Sequence, residues 1–346
     1  MKKNNDKSSR CETHREPYAP TAPQKRSVVA VITLQFGAKD KEPTVTALTS
    51  VSRLRVGKVI LQHDRKAPRG RVNAEEAWAT MKPVLDNLGI GVELQEVDIF
   101  STARRWYYGL VKAFEDAETT AALLFPGDLK KTLSDGQVNS LQAILDEAEV
   151  DALHPVDYST GRESEQSRDA FKEGFDECVT LHTIDLMFPK YSAQIRALGL
   201  SKLRTEVILI GRDVFRVFEK TPNESWGPDP IPQLILTVLR NPALRVKSSI
   251  HLGTMGDDKG TRNPLGQFYQ IARFTQQMLL DCVIQEDVAS QGEEKQMAAY
   301  DRLRQKAEAT YALTLRALNT NHQRLRAHDQ SSSVDIRHTE PSLDRV

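Results

Sequence analysis

Thr120-Ala121-Ala122-Leu123-Leu124-Phe125-Pro126-Gly127-Asp128 is the stretch on which the fold class turns. Six uncharged, mostly apolar residues end abruptly at Pro-Gly-Asp. A half-exposed strand alternates apolar with polar, so this run reads as a strand covered on both faces. Proline cannot donate to a ladder and glycine accepts a tight turn, so the strand stops at Phe125. Similar short apolar runs lie upstream at Ser27–Leu34, Gly57–Gln62 and Val92–Val97, and downstream at Asp151–Pro155. Between them lie amphipathic stretches with helical spacing: Glu42–Leu54, Asn73–Asn87 (apolar at Ala77, Met81, Val84 and Leu85), Ala103–Ala117 and Ser134–Ala148. A βαβα rhythm with apolar strands predicts an α/β domain whose mostly parallel sheet is flanked by helices.

The second half is less regular. Leu186–Ala197 and Thr205–Phe218 read as ordered, Ile231–Leu239 as a helix, Arg245–Leu252 as a strand and Gly266–Ile284 as a long helix. Gln291–Ala327 is rich in Ala, Glu, Gln, Leu and Arg and predicts a long C-terminal helix that packs on the core or joins two copies as a homodimer. Residues 1–26 and 329–346 are too polar to offset the entropy of ordering and read as disordered tails. The expected organisation is therefore a tail over 1–26, one domain over 27–290, a helix over 291–328 and a tail over 329–346.

The composition narrows the function. Lys+Arg and Asp+Glu balance at 47 each, which argues against a dedicated nucleic-acid binder. The cysteines, Cys11, Cys178 and Cys282, form no Cys-x-x-Cys pair, so they read as free thiols in a reducing compartment. No apolar run approaches the roughly 20 residues of a membrane span, and the first 26 residues lack a signal-peptide core. A soluble, cytoplasmic protein with no integral membrane segment is expected.

Three features could carry chemistry. Asp128 follows the end of a central strand, at the edge where open α/β sheets bind ligands, and a carboxylate there could hold a divalent cation; the plainer reading is a Pro-Gly-Asp turn. Arg104 and Arg105 open the helix before that strand and could meet phosphates; the plainer reading is a solvated basic face. The third is Ile250–Ile271, where a strand end leads to Asp257, Asp258, Lys259 and Arg262. Such a loop could close over a phosphate or sugar, or be a surface loop of mixed charge. His251, on the strand side, reads as structural.

The order of these segments resembles the GT-A glycosyltransferases of the glucosylglycerate and mannosylglycerate synthase type. The resemblance is carried by Leu252-Gly253-Thr254-Met255-Gly256-Asp257-Asp258-Lys259 and the following Leu265-Gly266-Gln267-Phe268-Tyr269-Gln270-Ile271. Gly211-Arg212-Asp213-Val214-Phe215 is similar to the family's Gly-Gly-Asp-Phe segment, and Phe125-Pro126-Gly127-Asp128-Leu129 to its Asp-Ser-Asp-Leu metal motif. Tyr158 falls where the family has a sugar- or acceptor-side segment. Together the matches span residues 27–285 in one consistent order. Two positions depart from the pattern: Pro126 stands at the first Asp of the metal motif, and Gly256 where the family has His.

The resemblance implies a GT-A-like sheet and transfer of a sugar from a nucleoside diphosphate sugar to a small-molecule or glycan acceptor hydroxyl. It implies Mg²⁺ or Mn²⁺ on Asp128, with Asp257 or Asp258 standing in for the missing ligands. Arg104, Arg105, Asp128, Tyr158, Asp213, Lys259 and Arg262 are the implied nucleotide or substrate contacts. The departures leave a second reading, a catalytically inactive GT-A-like binding or scaffold protein. A nucleotidyltransferase on a related fold ranks third, because Gln35–Lys39 holds only one glycine.

Overall fold

The computed structural model describes residues 27–33, 42–64, 74–97, 102–127, 129, 131–159, 185, 188–200, 205–220, 231–255 and scattered positions between 297 and 316. The first half follows the expected alternation: β1 (Ser27–Thr33), α1 (Glu42–Ser52), β2 (Lys58–Asp64), α2 (Ala74–Leu88), β3 (Val92–Val97), α3 (Thr102–Phe114), β4 (Thr119–Phe125), α4 (Asp135–Asp146) and β5 (Ala152–Ser159). After β5 come a short 3-10 turn (Pro189–Tyr191), α5 (Ser192–Ala197), β6 (Val207–Gly211), α6 (Arg212–Phe218), α7 (Ile231–Arg240), β7 (Arg245–Val246) and β8 (Ile250–Thr254). The single strand expected over Arg245–Leu252 is thus two strands with a break between them. The helix expected over Gly266–Ile284 and both tails lie outside the described residues. Of the long C-terminal helix, the described positions from Met297 to Arg316 are helical.

The eight strands form one sheet in the order β3-β2-β1-β4-β6-β5-β7, with β8 also paired to β5. β1 pairs parallel with β2 and β4, β2 with β3, and β5 with β7 and β8. β6 is antiparallel to both β4 and β5. The sheet is therefore mostly parallel, with one reversed strand inside it.

The sheet separates two apolar cores. On one face Val28, Ala30 and Ile32 of β1 join Ala47, Leu48 and Val51 of α1 and Leu141 and Leu145 of α4. On the other, Val29 and Val31 join Leu110 and Ala113 of α3, Phe215 and Phe218 of α6 and Leu234 and Ile235 of α7. Burial on both sides explains why β1 and β4 read as unbroken apolar runs. Helix α4 starts where its sequence says it should. Ser134 caps it, its hydroxyl accepting from the Gln137 amide while the Gln137 side chain accepts from the Ser134 amide, a reciprocal capping box. Among the described residues no helix is long and apolar enough to cross a membrane.

Candidate functional site at the sheet edge

The chain winds outward from β1 to β3, then returns to place β4 on the other side of β1. That reversal makes the ends of β1 and β4 a topological switch point, the kind of position at which open α/β sheets bind ligands. The segment after β4 is locked across it. A Cβ on Gly127 would lie 1.8 Å from the Thr33 carbonyl oxygen, so only glycine lets the chain pass over the end of β1. The Thr44 hydroxyl in the first turn of α1 donates to the Gly127 carbonyl at 3.1 Å. Two residues on, Leu129 is fully buried.

Register places one polar row at this level across the sheet. Thr33 is opposite Gln62, and Gln62 opposite Gln95. On the other side, Ile32 is level with Phe125, Leu124 with Ile208, and Val156 with Val207. This puts Asp157 of β5 in the same row as Thr33, and Asp157 is opposite His251 of β8. Side chains alternate along a strand. Thr33, Gln62, Gln95, Asp157 and His251 therefore share the face that carries α3. Two residues earlier on that face the row is apolar: Val31, Ile60, Leu124, Ile208.

The β1–β3 half of the row holds the start of α3. Gln62 is fully buried, and its amide donates to the Arg105 carbonyl at 2.7 Å and to Gln95 Oε1 at 3.0 Å. The Gln95 amide donates to the Tyr108 carbonyl at 3.1 Å. Gly109 lets the helix approach this closely, since a Cβ there would meet Val31 Cγ1 at 2.4 Å. The helix N-terminus, with no acidic residue in its first turn, is thus fixed beside the switch point with its positive end toward it.

The β5–β8 half ends in an acid–imidazole pair. Asp157 Oδ2 lies 2.7 Å from His251 Nδ1, with the carboxylate side chain 4% exposed and the imidazole 55% exposed.

The residues singled out from sequence are distributed unevenly. Arg105 is 9% exposed, so it does not belong to a solvated basic face. Arg104 lies beside it on α3, its side chain outside the described residues. Asp128, Asp257, Asp258, Lys259 and Arg262 also lie outside them. Tyr158 is 2% exposed and faces the core beneath α1 and α4. Asp213 is at the opposite edge of the sheet: reversed β6 ends at Gly211, level with Ala121 at the start of β4, and Asp213 pairs with Arg216 at 3.1 Å. The fold therefore does not bring Asp213 to the switch point. Gln62, Thr33, Gln95 and Asp157 were not singled out from sequence, and His251 was read as structural. The available signal was a polar residue closing an apolar strand, as Gln62 closes Val59–Leu61. Among the described residues no group of three His, Cys, Asp or Glu is placed to hold a metal ion.

Comparison with known proteins gives no matching family model and no matching curated protein. Solved structures do match. The crystal structure of a mycobacterial protein has 13% identity and a TM-score of 0.51 over 75% of each chain. Glucosyl-3-phosphoglycerate synthase from Mycobacterium tuberculosis, in complex with phosphoglyceric acid, has 15% identity and a TM-score of 0.49 over 75% of this chain and 80% of that one. The same enzyme with Mn²⁺, uridine-diphosphate-glucose and phosphoglyceric acid has 14% identity, a TM-score of 0.49 and the same coverage. At 13% identity the likeness to the mycobacterial protein is one of fold, the mostly parallel, helix-flanked α/β sheet that the resemblance to GT-A glycosyltransferases implies.

Proposed function

We propose that this chain is a glycosyltransferase moving a sugar from a nucleoside diphosphate sugar to an acceptor hydroxyl. The observation that carries the reading is the Pro126-Gly127 segment locked over the switch point, level with a polar row that ends the apolar core on the α3 face. In this reading the uncharged amides of Gln62 and Gln95 and the start of α3 lie toward the nucleoside. The diphosphate lies over Gly127, near Arg104, Arg105 and Asp128. The positive end of α3 and the two arginines would stabilise the negative charge that develops as the diphosphate departs. Lys259 and Arg262 belong to the loop proposed to close over the donor. Tyr158 and Asp213 have no part, being in the core and at the far edge.

Among the described residues no cation site is placed, and the implied ligands Asp128, Asp257 and Asp258 lie outside them. Mg²⁺ or Mn²⁺ would fall to Asp128 with Asp257 or Asp258. The protein is proposed to act in the cytoplasm, with residues 291–328 as the segment to test for homodimer formation. Pro126 and Gly256, at positions where the family carries metal ligands, favour a second reading, an inactive GT-A-like binding or scaffold protein.

Calorimetric titration with UDP, GDP, UDP-glucose and GDP-mannose, with and without Mg²⁺ or Mn²⁺, separates the two. Saturable binding that Asp128→Ala weakens at least tenfold, together with sugar transfer to an acceptor such as phosphoglyceric acid, supports the enzyme. Binding without transfer to any of a panel of acceptors supports the second reading, and no binding at all removes the first.

A further inference from the structure

The switch point accounts for one half of the polar row. The other half lies beyond β6: at about 4.8 Å per strand, Asp157 on β5 is roughly 10 Å and His251 on β8 roughly 14 Å from β4. If the nucleoside and diphosphate occupy the β2–β4 part of the edge, the sugar and its acceptor extend toward this end, on the face that carries α3.

The pair has the form of a base and its orienting acid. Asp157 comes from β5, where it pairs with His251 of β8 one residue past the last pair with β6, Val156 with Val207, so its backbone is held by the sheet rather than by a loop. At 4% exposure it cannot be a solvated surface acid. Its Oδ2 lies 2.7 Å from His251 Nδ1; in the tautomer with the ring proton on Nδ1 the carboxylate accepts that proton's hydrogen bond, and Nε2 is the acceptor of an imidazole that is 55% exposed. A histidine placed only for packing would not keep more than half its side chain in water. A surface histidine would not need a buried carboxylate on its inner nitrogen. Helix α4 supports the strand from the opposite face, the Gln137 amide donating to the carbonyls of Leu252 at 2.8 Å and Thr254 at 3.0 Å. The backbone on the C-terminal side of His251 is therefore held as well.

We infer that His251 is the general base that deprotonates the acceptor hydroxyl, with Asp157 as its positioning residue; this rests on the transfer reading above. As the acceptor oxygen bonds to the anomeric carbon, the bond from that carbon to the diphosphate oxygen breaks and its electron pair leaves with the nucleoside diphosphate. The acceptor's proton passes to His251 Nε2, and the Asp157 carboxylate stabilises the imidazolium formed. Asp157 also fixes the tautomer, since a ring protonated on Nε2 could not accept.

The test uses the full chain with a donor that it binds and an acceptor that it glycosylates. His251→Gln is expected to lower kcat about 100-fold with the donor Kd within twofold of the parent. In His251→Ala, added imidazole is expected to restore turnover in proportion to its concentration, a response no structural role produces. Asp157→Asn should lower kcat by a similar factor and should not respond to imidazole. Thermal melting checks that each variant is folded. Transfer by the parent that persists in His251→Gln, or a loss in His251→Ala that imidazole does not relieve, overturns this assignment alone. A parent that binds no donor, or transfers nothing, overturns the transfer reading and this assignment with it.

Discussion

Replacing Gly127 by alanine tests the central geometry. The new Cβ would stand 1.8 Å from the Thr33 oxygen, 2.9 Å from its carbonyl carbon and 3.4 Å from Ile32 Cγ2. The first two are backbone atoms of a strand paired on both sides, so no side-chain rotation relieves the contact. The loop must lift by more than about 1 Å, and such overpacking costs about 1–3 kcal/mol. Lifting also breaks the bond from the buried Thr44 hydroxyl to the Gly127 carbonyl, which adds about 1 kcal/mol. A loss of about 3 kcal/mol is expected. Urea unfolding followed by circular dichroism reads it as a lower midpoint at unchanged slope. Gly136→Ala is the control: nothing lies within 4 Å of a Cβ there, and alanine suits the helix, so stability should hold or rise by up to about 1 kcal/mol. On the proposed transfer reading, nucleotide affinity should fall in Gly127→Ala and not in Gly136→Ala. A Gly127→Ala midpoint within experimental error of the parent would refute the packing of this loop on β1.

Three further outcomes follow from the same contacts. Gln62→Leu removes the donor to Arg105 and Gln95 at a fully buried position and should cost about 1–3 kcal/mol, read by the same unfolding assay. Burial is the main cause holding the His154 imidazole below its ordinary 6.5, so the folded state resists its protonation; stability from this group is present above 6.5 and is lost as pH falls below that value through the lowered pKa of the folded state. His154→Leu should flatten that part of the stability–pH curve, and an unchanged slope would count against a buried neutral imidazole. Glu93 is held below 4.5 by Lys58 first and then Lys112, so its contribution is present above 4.5 and fades as pH drops; because the side chain is 36% exposed and screened, Glu93→Gln should cost less than about 1 kcal/mol at neutral pH.

The first half of the fold was legible because burial on both faces leaves an unambiguous signal. β3 matches its expected Val92–Val97, and β1, β2 and β4 differ only at their ends. β5 runs to Ser159, beyond the expected end at Pro155, because a proline after a short apolar run looks like a stop; here its missing N–H is tolerated at a position opposite Ile208 of antiparallel β6. The reversal of β6 itself is invisible in composition, since Val207–Gly211 is as apolar as any parallel strand. Asp128 was legible as a candidate because it follows a strand, but the reason its neighbour must be glycine is a contact with Thr33, 94 positions earlier in sequence. The Asp157–His251 pair was illegible for the same reason. Neither residue carries a local motif, and only register across β5 and β8 brings them together.

The reversed strand also bears on how such a protein can change. β5 ends and β6 begins at the same edge of the sheet, where the buried Thr205 hydroxyl just before β6 donates to the Val156 carbonyl. The chain between Ser159 and Thr205 therefore leaves from and returns to the edge that holds the polar row. Had β6 been parallel, that stretch would have had to cross a face of the sheet, and its length would be set by the crossover. Instead its ends stay fixed whatever its length. Residues can be added or removed in that stretch without rethreading a strand, provided that Phe188, Ile195 and Leu198, which it contributes to the core on the α3 face, keep their places.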